Sequence, residues 1–263
     1  MKAAIKPPHK PKLGQNFLVN PGACRAIVDA LGDLSQATVV EIGPGRGALT
    51  QMLAARAKRL IAIEIDPSLA APLASSGIEV ICRDILQVNL SELGRLHVIG
   101  NLPYYISTPI LMHLYAHGPA IERAVLMAQR EVAERVAASP GSRDYGLLTA
   151  TTQMYAQVEN LFTLPPDAFH PQPEVYSTVF RLTMHSRFQE LGVEPEEFGR
   201  FLRQAFAQKR KTLANNLRAA GFTPLAVEQA VAGCNLQPQI RAEAMPVEAM
   251  ACMFRALRMP GRD

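Results

Sequence analysis

No apolar run in this chain approaches the ~20 residues that a membrane-crossing helix needs. The N-terminus is basic but has no apolar stretch behind it, so it does not read as a secretory signal. Cysteine is sparse: Cys24, Cys82, Cys234 and Cys252 are scattered, with no Cys-x-x-Cys pair. They are expected to be small core residues in a reducing cytosol, neither bridged nor zinc-bound. His113 and His117 are four apart without a third ligand, so no metal site is expected. There is no internal repeat or low-complexity tract. Acids are missing from two stretches. Residues 1–12 carry Lys2, Lys6, Lys10 and Lys12, and Gly199 to Arg218 carries six cations, both without a carboxylate. The net charge of +4 is small. Its concentration in two patches nevertheless fits a polyanion partner, the plainer alternative being a solvated tail and a solvated helix face.

What is present is a full apolar complement, 48% of 263 residues, enough for one large or two modest domains. Residues 1–12 read as a flexible basic tail and 20–31 as a helix. Strand-like runs follow at Thr38–Ile42, Leu60–Ile65, Ile78–Cys82, Leu96–Gly100, Arg123–Ala128, Thr152–Val158 and Tyr176–Leu182, with helical patterns separating the first five. That alternation predicts an α/β fold, a doubly wound parallel sheet with helices on both faces. The last two strands flank the Pro-rich stretch Pro165 to Pro173 and could form an antiparallel edge. After about residue 185 the pattern is helical: one helix or two over 195–220, another from Thr223-Pro224 to Gly233, a last from Pro246 through Leu257. Residues 13–185 are therefore expected to form one domain and 186–263 a small all-helical one.

Val39-Val40-Glu41-Ile42-Gly43-Pro44-Gly45-Arg46-Gly47 is a strand running into a glycine turn. Gly43 and Gly45 would let the backbone turn tightly and pass close to a ligand. Glu64 lies 21 residues after Gly43, at the end of the second strand, where a carboxylate can accept from both hydroxyls of a ribose. GxGxG with a proline inside is a poor dinucleotide fingerprint. It favours S-adenosylmethionine, which has no pyrophosphate to seat. Asp84, after the third strand, could contact the adenine amino group of such a cofactor. Taken singly, the glycines could be structural, Glu64 a surface strand-end acid and Asp84 a loop start.

Asn101-Leu102-Pro103-Tyr104 ends the fourth strand. A side-chain carbonyl and a backbone carbonyl in succession can take the two N–H groups of an exocyclic amine and favour a pyramidal, nucleophilic nitrogen. Pro103 fixes φ, and Tyr104 offers a flat face for an unstacked base. Standing alone, the four residues could equally be a strand end with a proline turn and an aromatic anchor.

These motifs converge on a family. The chain resembles the S-adenosylmethionine-dependent rRNA adenine N6,N6-dimethyltransferases, most closely their bacterial small-subunit branch, the kasugamycin-sensitivity methyltransferases. The resemblance spans nearly the whole chain: Leu13-Gly14-Gln15-Asn16-Phe17-Leu18, Glu41 to Gly45, Glu64-Ile65-Asp66, Asp84-Ile85-Leu86, Asn101 to Tyr104, Gln129 to Val132, Phe169 to Pro173 and Gln208 to Thr212. It implies a Rossmann-like class I methyltransferase sheet. Gln15, Asn16 and Leu18 would close over the cofactor, and Gly43 and Gly45 would approach it. Glu64 and Asp84 would hold its ribose and adenine, with Ile65 and Ile85 beside them. Asn101 would line the transfer site, Leu102 and Pro103 would supply carbonyls, and Tyr104 and Phe169 would sandwich the target base. Lys209, Arg210 and Lys211 would hold RNA phosphates. The implied substrate is a pair of adjacent adenines near the 3′ end of 16S rRNA, in the small subunit or its precursor. The setting would be cytoplasmic, with no membrane and no obligate protein partner. An antibiotic-resistance enzyme acting on 23S rRNA and a non-catalytic assembly factor are the competing readings. The chain departs from the family pattern at Tyr105, Gln172, Glu174, Tyr176 and Ala244-Met245.

Overall fold

The computed structural model of the chain describes residues 16–258. The basic tail and Gln15 lie outside them. Among the described residues, nine strands form two sheets. The strands are β1 (Phe17–Leu18), β2 (Thr38–Ile42), β3 (Arg59–Glu64), β4 (Glu79–Cys82), β5 (Leu96–Asn101), β6 (Ile121–Gln129), β7 (Ala156–Leu164), β8 (Phe169–His170) and β9 (Ser177–Met184). Seven of them make one sheet in the order β4-β3-β2-β5-β6-β9-β7, and β1 pairs antiparallel with β8 apart from it. The four pairings from β4 across to β6 are parallel, and β9 runs antiparallel to both β6 and β7. The expected parallel sheet with an antiparallel edge is therefore present.

Eleven α-helices among the described residues accompany the strands: α1 (Pro21–Asp29), α2 (Thr50–Ala54), α3 (Pro67–Ser75), α4 (Ser107–Ala116), α5 (Arg130–Val136), α6 (Leu147–Tyr155), α7 (Phe188–Leu191), α8 (Pro195–Ala205), α9 (Leu213–Ala219), α10 (Pro224–Gly233) and α11 (Val247–Arg258). The starts of α1 and α3 follow local chemistry. Asn20 and Asp66 cap them by accepting from Ala23 and Ser68 N–H, and each helix has a proline in its first turn. Strand alternation sends Val40, Ile42, Val98 and Leu126 to one face, where Ile110, Leu111 and Leu114 of α4 pack on them. Val39, Ile99, Val125 and Met127 face the other way, onto Cys24, Ile27 and Val28 of α1. Both faces of the sheet are covered.

Four expectations are corrected. Thr152–Val158 is not a strand: α6 runs to Tyr155 and β7 begins at Ala156. Thr152 reads as a β-branched strand residue. Inside α6, Thr152 Oγ1 donates to the Leu148 carbonyl 2.8 Å away, a turn back along the helix. Between β4 and β5 there are only the 3-10 turns Ile85–Gln87 and Leu90–Leu93, not a helix. Lys209, Arg210 and Lys211 do not lie on a helix face: of the one or two helices expected over 195–220 there are two, and these residues lie in the loop between them. Finally, Cys234 and Cys252 are joined in a disulfide. Cys234 caps α10 and Cys252 sits within α11, and these helices pack together. A pairing across a helix hairpin leaves no short sequence motif. Cys24 and Cys82 are free.

The C-terminal helices have their own core, built on Phe198, Phe201, Leu217, Val231 and Phe254. Tyr145, Ala150 and Met154 from in and around α6 belong to that core as well. Helix α6 thus joins the helical unit to the sheet, on the sheet side of the expected boundary at 185.

Candidate active site

In the central sheet β2 has β3 on one side and β5 on the other, so the chain leaves β2 in opposite directions. Such a switch point opens a crevice at the carboxyl ends of the strands. A cleft lies there, lined by residues at or just past the ends of β2, β3, β4 and β5: Gly43 and Gly45, Glu64 and Ile65, Asp84 and Ile85, and Asn101 to Tyr104. Asn16 and Leu18 close one side. Residues far apart in sequence, and expected to act together, share one wall.

The glycine turn is shaped for a ligand. Gly43 has φ +63° and no atom within 4 Å of where a Cβ would stand, so an incoming molecule can approach its backbone. Gly45 has φ +56°, and a Cβ there would come within 2.9 Å of the Phe17 ring. The guanidinium of Arg46 lies 4.6 Å from the centroid of that ring. Glu64, 2% exposed, accepts from Gly45 N–H through Oε2 and from Asp66 N–H through Oε1, both at 3.0 Å. Each oxygen keeps a second lone pair, enough for two vicinal hydroxyls. Asp84 accepts from Leu86 N–H at 3.0 Å through Oδ1.

Asn101 Nδ2 donates to the Asn16 carbonyl at 3.0 Å. That bond fixes the amide and leaves Oδ1 as the acceptor. Leu102 N–H donates to the Met127 carbonyl at 2.8 Å, while no donor among the described residues reaches the Leu102 carbonyl. The Pro103 carbonyl is different. It accepts from Ile106 N–H at 3.1 Å and from Ser107 Oγ at 3.0 Å, so both lone pairs are used within the turn. The expected pair of backbone carbonyls is corrected to Leu102 alone. Tyr104 and Ser177 exchange a hydrogen bond of 2.7 Å between their hydroxyls. Burial raises the Tyr104 phenol pKa, partly offset by that bond. Tyr105 lines the cleft and is 62% exposed.

Phe169 is not in the cleft. It is 2% exposed and packs in the core with Leu18, Ala168 and Val179. Pairing of β8 with β1 sets it opposite Leu18 and turns the ring inward. Its expected place in the cleft is therefore corrected, and the aromatics that line the cleft are Phe17, Tyr104 and Tyr105. Sequence reasoning gave no role to Phe17, Glu41, Thr50, Ser107 or Ser177. A carboxylate inside the apolar run Val39 to Ile42 was itself a signal: Glu41 lines the cleft, 2% exposed, and accepts from Thr50 Oγ1 at 2.7 Å. Burial pushes its pKa up to about 7; the Thr50 bond opposes this and the nearby Glu64 charge adds to it.

Residues 8–258 match the ribosomal RNA adenine dimethylase family. The chain belongs to that family. Curated relatives named ribosomal RNA small subunit methyltransferase A include one from Acidobacterium capsulatum, 59% identical over 97% of this chain and 93% of its own length. Another, from Koribacter versatilis, is 48% identical over 96% of both. Among solved structures, a dimethyladenosine transferase from Plasmodium falciparum superposes with TM-score 0.76 at 26% identity, covering 90% of this chain and 95% of that one. The 23S rRNA methyltransferase ErmE gives 0.70 at 25%, covering 92% and 99%. As a member of the adenine dimethylases the protein is an enzyme whose cofactor is S-adenosylmethionine. The cleft fits it, with a glycine backbone open to close approach and a buried carboxylate with lone pairs left for ribose hydroxyls.

Proposed function

We propose that this dimethylase converts two adjacent adenines near the 3′ end of 16S rRNA to N6,N6-dimethyladenosines, in the small ribosomal subunit or its precursor. The observation that carries the reading is the pair of free acceptors at the end of β5, Asn101 Oδ1 and the Leu102 carbonyl. An unmethylated adenine N6 has two N–H groups, and two acceptors can direct its lone pair away from them. The cofactor supplies a methyl group on a sulfonium, already electrophilic. The protein's part is then orientation and electrostatics. Gly43 and Glu64 hold the cofactor, Asn101 and Leu102 aim the amine, and Tyr104 stacks on the base. Once one methyl is in place, a single N–H remains, and either acceptor can hold it.

The small-subunit assignment is supported by the names of relatives at 59% and 48% identity, against 25% for the 23S enzyme. Lys209, Arg210 and Lys211 would contact the phosphates of the rRNA. The setting would be the cytoplasm, where ribosomes assemble, and no protein partner is required. No helix among the described residues is long and apolar enough to cross a membrane. The test is methylation of purified small subunits lacking the modification, with large subunits in parallel, followed by mapping of dimethyladenine. Label in the large subunit alone would replace this reading with the 23S one.

A further inference from the structure

Tyr176 stands at the entrance to β9, the sheet end at which β5 and β6 leave and at which Asn101 to Tyr104 lie. Its side chain is 47% exposed. Two interactions fix its place. Its carbonyl accepts from Arg130 N–H at 2.9 Å, and the Arg130 guanidinium carbon lies 5.4 Å from the centroid of its ring. The residue that follows, Ser177, is fully buried and holds the hydroxyl of Tyr104. The target-base tyrosine and this exposed tyrosine are therefore connected through one peptide unit, at the same rim.

We propose that Tyr176, backed by Arg130, is the stacking platform for the nucleotide next to the target adenine. The proposal rests on the reading that the substrate holds two adjacent adenines. Taking one adenine out of its stack leaves a face of its neighbour bare. A flat aromatic ring on the rim replaces the missing stacking, and a guanidinium beside the ring is placed for the phosphate that links the two nucleotides. Arg130 is only partly engaged elsewhere, 3.6 Å from Glu134 in an exposed pair, which leaves its other donors for phosphate. A pyrimidine offers a smaller face than a purine. The platform would thus prefer adenine beside the target, and it gives the second adenine a defined waiting position while the first is modified.

The experiment uses the full chain and small subunits lacking the modification, in which one of the two adjacent adenines is kept or replaced by uridine and transfer is scored at the other adenine alone. Methyl transfer is followed at subsaturating subunit, to read kcat/KM, and at saturation, to read kcat. Wild type should favour the adenine neighbour by about tenfold in kcat/KM, the scale of stacking one base on an aromatic ring. Tyr176→Ala should abolish that preference, with kcat at saturation nearly unchanged. Tyr176→Phe should keep it. Tyr176→Leu preserves apolar volume without a stacking face and should behave as the alanine variant does, with a wild-type melting temperature and cofactor affinity. Because each enzyme meets both substrates, the effect of uridine on the RNA itself cancels. Equal preference in wild type, Tyr176→Leu and Tyr176→Ala would overturn the platform while leaving the proposed function standing. No methylation of small subunits by wild type would remove the proposed function, and the platform with it.

Discussion

The side chain of Asn101 is tied to the backbone of Asn16, 85 residues away, by a 3.0 Å bond from Nδ2 to the Asn16 carbonyl. One bond does two things. It fixes the side-chain amide with Oδ1 left as an acceptor, and it ties Asn16, on the cleft wall, to the end of β5. Asn101→Ala removes both, and the transfer rate should fall about 10²–10³-fold, the usual effect of deleting one aligned hydrogen-bonding group from an active site. Asn101→Asp keeps the acceptor but has no donor, and it sets a carboxylate against the Asn16 carbonyl. It should lower cofactor affinity as well as rate. Single-turnover methylation at saturating cofactor and subunit separates the two effects. A wild-type rate in Asn101→Ala would reduce the four-residue run to a structural turn.

Glu64, proposed to hold the cofactor ribose, is already engaged by the protein, since its oxygens accept from Gly45 and Asp66 N–H. Glu64→Gln is therefore not conservative. One oxygen becomes an NH2 group facing a backbone donor, and an acceptor for ribose is gone. Cofactor binding should weaken by about 1.5–3 kcal/mol in Glu64→Gln and in Glu64→Ala, the scale of hydrogen bonds to a charged group. Calorimetry with an intact fold checks this, and unchanged affinity would free Glu64 of the ribose.

The parts of the site legible in the sequence are those in which one local segment carries the whole logic. Thr38–Ile42 is a strand with the predicted bounds, and the glycine turn and Glu64 fall where strand-end reasoning puts them. Asn101 could be read for the same reason. What could not be read depends on neighbours brought together by folding. Ser177 reaches Tyr104 across 73 residues, and Cys234 meets Cys252 only because α10 and α11 pack. Phe169 was misplaced because a resemblance assigns a role by position, whereas its exposure is set by the two-residue pairing of β1 with β8. Strands of two residues give no periodicity to detect. Pro103 looks like an acceptor in sequence, but Ser107, four residues on, uses its carbonyl.

The cationic loop between α8 and α9 carries Lys209, Arg210 and Lys211, all exposed, with no carboxylate at ion-pair distance among the described residues. Lys209 Nζ donates to the Arg143 carbonyl at 3.0 Å, which holds the loop against the segment before α6. Replacing all three by Glu should weaken small-subunit binding and lower its salt slope by about 2–3, at roughly 0.7–0.9 for each phosphate no longer neutralised. Cofactor affinity should be untouched. Filter binding across a salt series measures both. An unchanged slope would make the loop a solvated surface.

Glu41 gives the site a pH dependence of predictable sign. Its pKa is raised from 4.5 to about 7, first by burial, so the folded protein holds this proton more tightly than the unfolded chain does. The associated stability is fully present below about pH 4.5 and is lost as pH rises toward 7. The loss is roughly 3 kcal/mol in all for the cofactor-free protein. A cation in the cleft reverses the preference, because it favours the carboxylate. S-adenosylmethionine carries a sulfonium and an ammonium, so its binding should expel a proton near pH 6. Its affinity should rise through pH 7 and level off above. Glu41→Gln cannot titrate: its cofactor affinity should be flat over that range, and its thermal stability should not fall between pH 5 and 7. Calorimetry in two buffers of different ionisation enthalpy counts the protons released. No release by wild type near pH 6 would show that Glu41 is not coupled to the cofactor.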